Sequence, residues 1–175
     1  GTQKVVATLH HFEPPPTNTT ATSTNDDEEM EWPMSVEAVG FSPANPQWCA
    51  TAGVDGILKI WDLSGTAAQC RQVCPPPVAG DSNEEDTTTT TSGGITRLTW
   101  HPTLPLVFTS STRGAVDLWD ARNGQLLTSL TGHTQVLNDL EVQFLEGGNV
   151  ALVTTASDDE TIRVFTVNVA ALWNQ

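Results

Sequence analysis

Four small groups of residues in this chain have types that could do chemistry. His133, Asp159 and Thr155 have the composition of a nucleophile, its base and an orienting carboxylate. His10-His11 offers two imidazoles for a metal, Asp158-Asp159-Glu160 offers carboxylates for a cation, and Cys70-x3-Cys74 offers two thiols. None has the spacing its chemistry needs. Adjacent strand residues point to opposite faces, so His10 and His11 make a poor chelate. Cys70 and Cys74 match neither a zinc knuckle nor a redox pair. One acidic turn is ordinarily a solvated turn. The Thr155–His133–Asp159 set falls within a single repeat unit, where neither a cleft nor an oxyanion donor is expected. No glycine-rich phosphate loop occurs. The expectation is therefore no catalytic residue, no metal, no cofactor and no enzyme.

The elements that must position these residues form an internal repeat. One row reads Thr51-Ala-Gly-Val-Asp55-Gly-Ile-Leu-Lys-Ile-Trp61, followed by Asp62. A second reads Thr109-Ser-Ser-Thr-Arg113-Gly-Ala-Val-Asp-Leu-Trp119, followed by Asp120. A third reads Thr155-Ala-Ser-Asp-Asp159-Glu-Thr-Ile-Arg-Val-Phe165. Threonine, turn residue and aromatic keep one spacing. Each row is an apolar strand, a tight turn and another apolar strand. Predicted strands cover Val36–Phe41, Trp48–Gly53, Ile57–Trp61 and Ala68–Val73 in the first unit. In the second they cover Ile95–Trp100, Leu106–Ser110, Ala115–Trp119 and Gln125–Leu130. The last unit has three, Leu137–Val142, Val150–Ala156 and Ile162–Val167.

Repeating Trp-Asp hairpins resemble WD repeats, and the resemblance implies an all-β propeller of seven or eight blades, of which this chain is the C-terminal portion. Residues 1–12 then hold the outer strand of a preceding blade (Lys4–Leu9), and 35–74 and 94–131 are blades. Residues 132–168 are a last blade lacking its outer strand, and 169–175 a tail. Blades bury their faces only against neighbours. The rest of the ring is thus expected as a partner, an N-terminal remainder of the same propeller. In the repeat pattern the tryptophan N–H is received by the threonine, which is linked onward to a histidine and the turn aspartate. Only the last unit supplies the histidine, His133, and its Phe165 has no N–H. The first unit offers Thr51, Asp55 and Trp61 with no histidine before them, and the second offers Thr109 and Trp119 with Arg113 at the aspartate position. The polar network is expected to be partial in every copy.

The formal net charge is -14, which argues against nucleic acid and for a basic partner. Nine acidic residues, Asp26, Asp27, Glu28, Glu29, Glu31, Asp81, Glu84, Glu85 and Asp86, sit together with Glu13 in two polar inserts, 13–34 and 75–93, that contain no Lys or Arg. Such stretches cannot bury enough apolar surface to order themselves and read as flexible. Both join an outer strand to the next inner strand, so both belong on one face of the ring, where their field would steer a basic ligand. Glu37 and Asp139, at inner-strand starts, are expected as the more rigid contacts, and Trp32 as an apolar contact or a pin for its loop. Three cysteines (Cys49, Cys70, Cys74) without framework spacing point to reduced thiols and an intracellular setting. No apolar run approaches the roughly 18 residues that span a bilayer.

The stretches Ser35-Val-Glu-Ala-Val-Gly-Phe-Ser-Pro43, Val116-Asp-Leu-Trp-Asp-Ala-Arg122, Thr131-Gly-His133 and Val153-Thr-Thr-Ala-Ser-Asp158 resemble the angio-associated migratory cell protein family. The resemblance covers most of 35–167 and neither insert. It implies an eight-bladed ring and, from the family's fungal members, a dedicated cytoplasmic chaperone. Such a chaperone captures the basic N-terminus of nascent large ribosomal subunit protein 10 and supports 60S assembly. A scaffold in signalling or in a ubiquitin ligase, or a purely structural subunit, is the alternative.

Overall fold

The computed structural model describes residues 4–12, 34–77 and 93–174. Strands β1 (Val36–Phe41), β2 (Trp48–Gly53), β3 (Leu58–Asp62) and β4 (Gln69–Cys74) form an antiparallel sheet in that order. Strands β5 (Ile95–Trp100), β6 (Leu106–Ser111), β7 (Val116–Asp120) and β8 (Gln125–Leu130) form a second. Strands β9 (Leu137–Leu145), β10 (Val150–Ser157) and β11 (Ile162–Asn168) form a third, closed by the short helix α1 (Val169–Trp173). This is the mostly-β, partial-propeller architecture that the repeat implies. Nearly every strand falls within a residue of its expected bounds. The exception is β9, which runs three residues further. Its link to β10 is a 3-10 turn at Glu146–Gly148, and pairing starts at Val150↔Leu145.

One expected strand is not formed. Residues 4–10 join no sheet, and Val5 and Val6 are 79% and 93% exposed. A strand is held by its ladder, and this segment has no ladder partner among the described residues. Val5, Val6 and Leu9 instead line an open apolar cavity of about 370 Å³ together with Val39 and Phe41 of β1.

The sheets stack face to face because β2 and β6 are buried on both sides. Between the first two sheets the core is made of Ala38, Ala50, Ala52, Leu58 and Ile60 on one side and Trp100, Val107 and Trp119 on the other. Small residues on one sheet receive the two indoles of the next. Gly40 is the clearest case, since a Cβ there would lie 2.8 Å from Leu98 and 3.3 Å from Trp100. Trp100 Nε1 donates to the Gly40 carbonyl across the joint at 2.9 Å. Between the second and third sheets Phe108, Val116 and Leu118 meet Leu140, Val142, Ala151 and Val153. There the larger side chains lie on the second sheet, so the two joints are keyed differently.

β1 packs beside β5 and β5 beside β9, which makes these three the inner strands of the arc. Each carries a one-residue bulge at the same place: Glu37 in β1, Thr96 in β5 and Asn138 in β9. A bulge re-aims the extra side chain. Thr96 uses this to donate to the Leu137 carbonyl of the next sheet at 2.8 Å.

Candidate functional site

The buried polar chains that hold each sheet were only partly foreseen, and one is a correction. In the first sheet Trp61 Nε1 donates to Thr51 Oγ1 at 2.8 Å. Thr51 Oγ1 lies 2.7 Å from His11 Nδ1, and His11 Nε2 lies 3.4 Å from Asp55 Oδ1. The Asp55 carboxylate can only accept, so Nε2 carries the proton, and in the neutral ring Nδ1 accepts the Thr51 O–H. The network is complete, not partial. The missing histidine is His11, carried to Thr51 from the far side of the first insert. Burial lowers its pKa, opposed by Asp55, so the neutral ring is favoured.

In the second sheet Trp119 Nε1 donates to Thr109 Oγ1 at 2.9 Å, and no histidine joins them. Arg113, at the turn-aspartate position, reaches Asp117 at 2.7 Å, and Ser129 donates to the same carboxylate at 2.5 Å. Asp117 pairs with Thr109 in the register where Lys59 pairs with Thr51 and Arg163 with Thr155. The second unit has therefore exchanged the signs of two positions: Asp55 with Lys59 and Asp159 with Arg163, but Arg113 with Asp117. Lys59 turns its ammonium to the His11 carbonyl.

In the third sheet His133 Nε2 meets Thr155 Oγ1 and Nδ1 meets Asp159 Oδ2, both at 2.8 Å. The network ends at the threonine, as expected, and Phe165 packs against the core. Thr161 bonds, with His133 and two backbone N–H groups, hold the Asp159 carboxyl far below the usual carboxylate range. The residue after it, Glu160, takes the left-handed turn position (φ 66°) that Gly56 and Gly114 fill in the other units. Thr155, His133 and Asp159 thus form a structural clamp inside one sheet. The aspartates of the Trp-Asp pairs work at the opposite end. Asp62 accepts from Ser64 N at 2.9 Å, and Asp120 accepts from Arg122 N at 2.9 Å and Arg122 Nη2 at 2.7 Å. Arg122 also lies 3.8 Å over the Trp173 ring. Cys49 and Cys74 are buried and Cys70 exposed; burial pushes the Cys74 thiol up to about 12.

One rim of the arc gathers the starts of the inner strands and the turns after β2, β6 and β10. The described ends of both inserts lie on it. Ser35 O accepts from Val54 N at 3.1 Å, and Gly94 O accepts from Thr112 N at 2.8 Å. Cys74, which precedes the second insert, pairs with Leu58 beside the same turn. Glu37 and Asp139 are both at this rim. Glu37 accepts from Ser35. Asp139 meets Arg97 at 3.3 Å, a partner not anticipated from the sequence, so its charge is partly offset. Trp32, Asp26, Asp27, Glu28, Glu29, Glu31, Asp81, Glu84, Glu85 and Asp86 lie outside the described residues.

The WD domain, G-beta repeat pattern matches residues 33–62, 84–120 and 124–166. The chain belongs to the WD40 repeat family. WD40 propellers are in general protein-interaction scaffolds rather than enzymes. The chain is homologous to the angio-associated migratory cell protein. It is 35% identical to the dog protein over 135 residues, 76% of this chain and 26% of the relative, and 34% identical to the human one over the same shares. It is 30% identical to mouse coronin-7 over 130 residues, 74% of this chain and 13% of that protein. The chain therefore spans about a quarter of the length of the angio-associated migratory cell proteins it matches.

Two further structural residues escaped sequence reading. His101 is buried, with Nε2 2.8 Å from the Gly148 carbonyl and Nδ1 accepting from Thr103 N and Leu104 N. Its only sequence signal was a turn before Pro102. Arg97 carries no signal in the sequence, because the bulges that align it with Ala38 and Asp139 appear only in the strand pairing.

Proposed function

We propose that this WD40 segment binds protein through its insert-bearing rim. Within that reading, it acts as a cytoplasmic chaperone that captures a basic segment, the N-terminus of large ribosomal subunit protein 10, for 60S assembly. One observation carries it: both cation-free acidic stretches are anchored to the same rim by their described ends. A lysine- and arginine-rich segment needs counter-charge to stay soluble and away from RNA, and a rim of one sign steers it in. Homology to the angio-associated migratory cell protein supports the family resemblance from which the chaperone role is inferred. The WD repeats themselves also fit a second reading, a WD-repeat scaffold in signalling or in a ubiquitin-ligase complex.

The test is binding of a basic ribosomal-protein N-terminal peptide by fluorescence anisotropy at rising salt. Chaperone function gives tight binding at low salt that weakens steeply as the Debye length shrinks below about 10 Å. Glu37→Lys with Asp139→Lys should weaken it further. Binding that ignores both salt and the double substitution would remove the acidic rim from the account.

A further inference from the structure

We propose that Arg97 is a built-in competitor for the basic ligand: by occupying Asp139 it sets how tightly the rim holds a cationic segment. The inference rests on the acidic-rim reading above. Its observation is a single rung of the inner strands. Immediately after the bulge, Ala38 faces Ala52, Arg97 faces Ser110 and Asp139 faces Ala156. The three sheets thus present a neutral, a positive and a negative residue at one level, with β5 between its neighbours. Arg97 Nε reaches Asp139 Oδ1 at 3.3 Å while the two side chains stay 55% and 70% exposed.

This pair differs from the other arginine–aspartate pairs among the described residues. Arg113 and Arg122 hold carboxylates that are themselves only 4% exposed, so little of either anion is open to a ligand. Asp139 is reachable, and among the described residues Arg97 is its one cationic partner. An incoming lysine or arginine that engages Asp139 competes with Arg97 for it, and the exchange of one exposed ion pair for another is nearly neutral. Arg97 therefore cancels what Asp139 would otherwise contribute. It also repels cationic segments directly from the middle inner strand.

The experiment measures a synthetic lysine- and arginine-rich peptide against the full polypeptide by fluorescence anisotropy at low salt. Arg97→Gln should tighten binding about two- to fivefold, the range of one exposed ion pair. Arg97→Lys should leave it unchanged. Asp139→Asn should be nearly silent in the native background but should weaken binding two- to fivefold in the Arg97→Gln background, a coupling that only an interacting pair produces. Thermal melts of each variant confirm an unchanged fold. If the native protein binds with steep salt dependence while Arg97→Gln is neutral or weaker, the competitor role falls and the acidic rim stands. If neither protein binds the peptide, both fall together.

Discussion

His11 offers the sharpest test of how the first sheet is held. Replacing it with alanine removes a hydrogen bond to Thr51 at 2.7 Å and a longer one, 3.4 Å, to Asp55. It also removes a ring that is 4% exposed and stacks edge-on against Phe12 at 4.9 Å. The neutral bond is worth about 1 kcal/mol. The stretched bond to a carboxylate falls at the low end of the roughly 1.5–3 kcal/mol for charged partners. The vacated ring volume adds to this. Trp61 keeps its acceptor on Thr51, so no indole N–H is orphaned and the loss stays below that of removing the threonine. The expected cost is about 2–4 kcal/mol, or a melting temperature lower by roughly 5–12 °C for a chain of this size. His10 supplies the control, because it is the same residue type one position away and is exposed. His10→Ala should change stability by no more than about 0.5 kcal/mol. Melting followed by circular dichroism reads both. Equal, small effects of the two substitutions would refute the assignment of His11 to the Thr51–Asp55 network.

Two more outcomes follow from the buried charges. Arg113→Ala leaves Asp117 buried with only the Ser129 hydroxyl, and should cost about 2–4 kcal/mol. Arg113→Asp with Asp117→Lys recreates the Asp55/Lys59 polarity and should recover at least half of that loss in the denaturant midpoint; no recovery would mean the two positions are not coupled. The second outcome concerns acid. Burial lowers the pKa of both His11 and His101, so the unfolded chain takes up protons first as pH falls. Their contribution to stability is fully present above the ordinary histidine value of about 6.5 and is lost as pH falls toward the lowered folded values. Urea midpoints should therefore drop between pH 7.5 and pH 5.5, and a flat profile would contradict the burial of these rings.

The scaffold was legible because the strand signals are local. Thr51, Thr109 and Thr155 keep their distance to Trp61, Trp119 and Phe165, and the alternation of apolar residues between them has no competing reading. What escaped was non-local. His11 is 40 residues from Thr51, so a search for a histidine at the usual spacing before the first unit found none. The insert between them hides the match, because chain length in a loop changes the connection and not the packing it returns to. Lys4–Leu9 has strand composition, but an edge strand exists only where something pairs with it, and the described residues offer it no partner. The sign exchange at Arg113 and Asp117 was visible in the aligned rows. In the rows alone it looks like the loss of an aspartate, because the compensating position lies four residues on and on the next strand.

The charge that bears on a ligand is smaller than composition implies. Asp55, Asp117 and Asp159 are bound into the sheets, and Asp62 and Asp120 close turns at the other end. Asp139 is shared with Arg97, and Asp158 accepts from Asn138 at 2.6 Å. Of the acidic residues the repeat itself contributes, Glu37 of β1 and the exposed Glu141 of β9 are inner-strand carboxylates with no ion pair among the described residues. The scaffold's aspartates are thus largely committed to holding its own geometry. On the proposed reading, most of the field at this rim comes from the inserts, which hold no Lys or Arg, with Arg97 limiting what the scaffold adds. A ligand held mainly by the inserts would feel salt strongly and feel Glu37→Lys only weakly. A ligand held at the inner strands would show the reverse order, and the salt titration of the two proteins separates them.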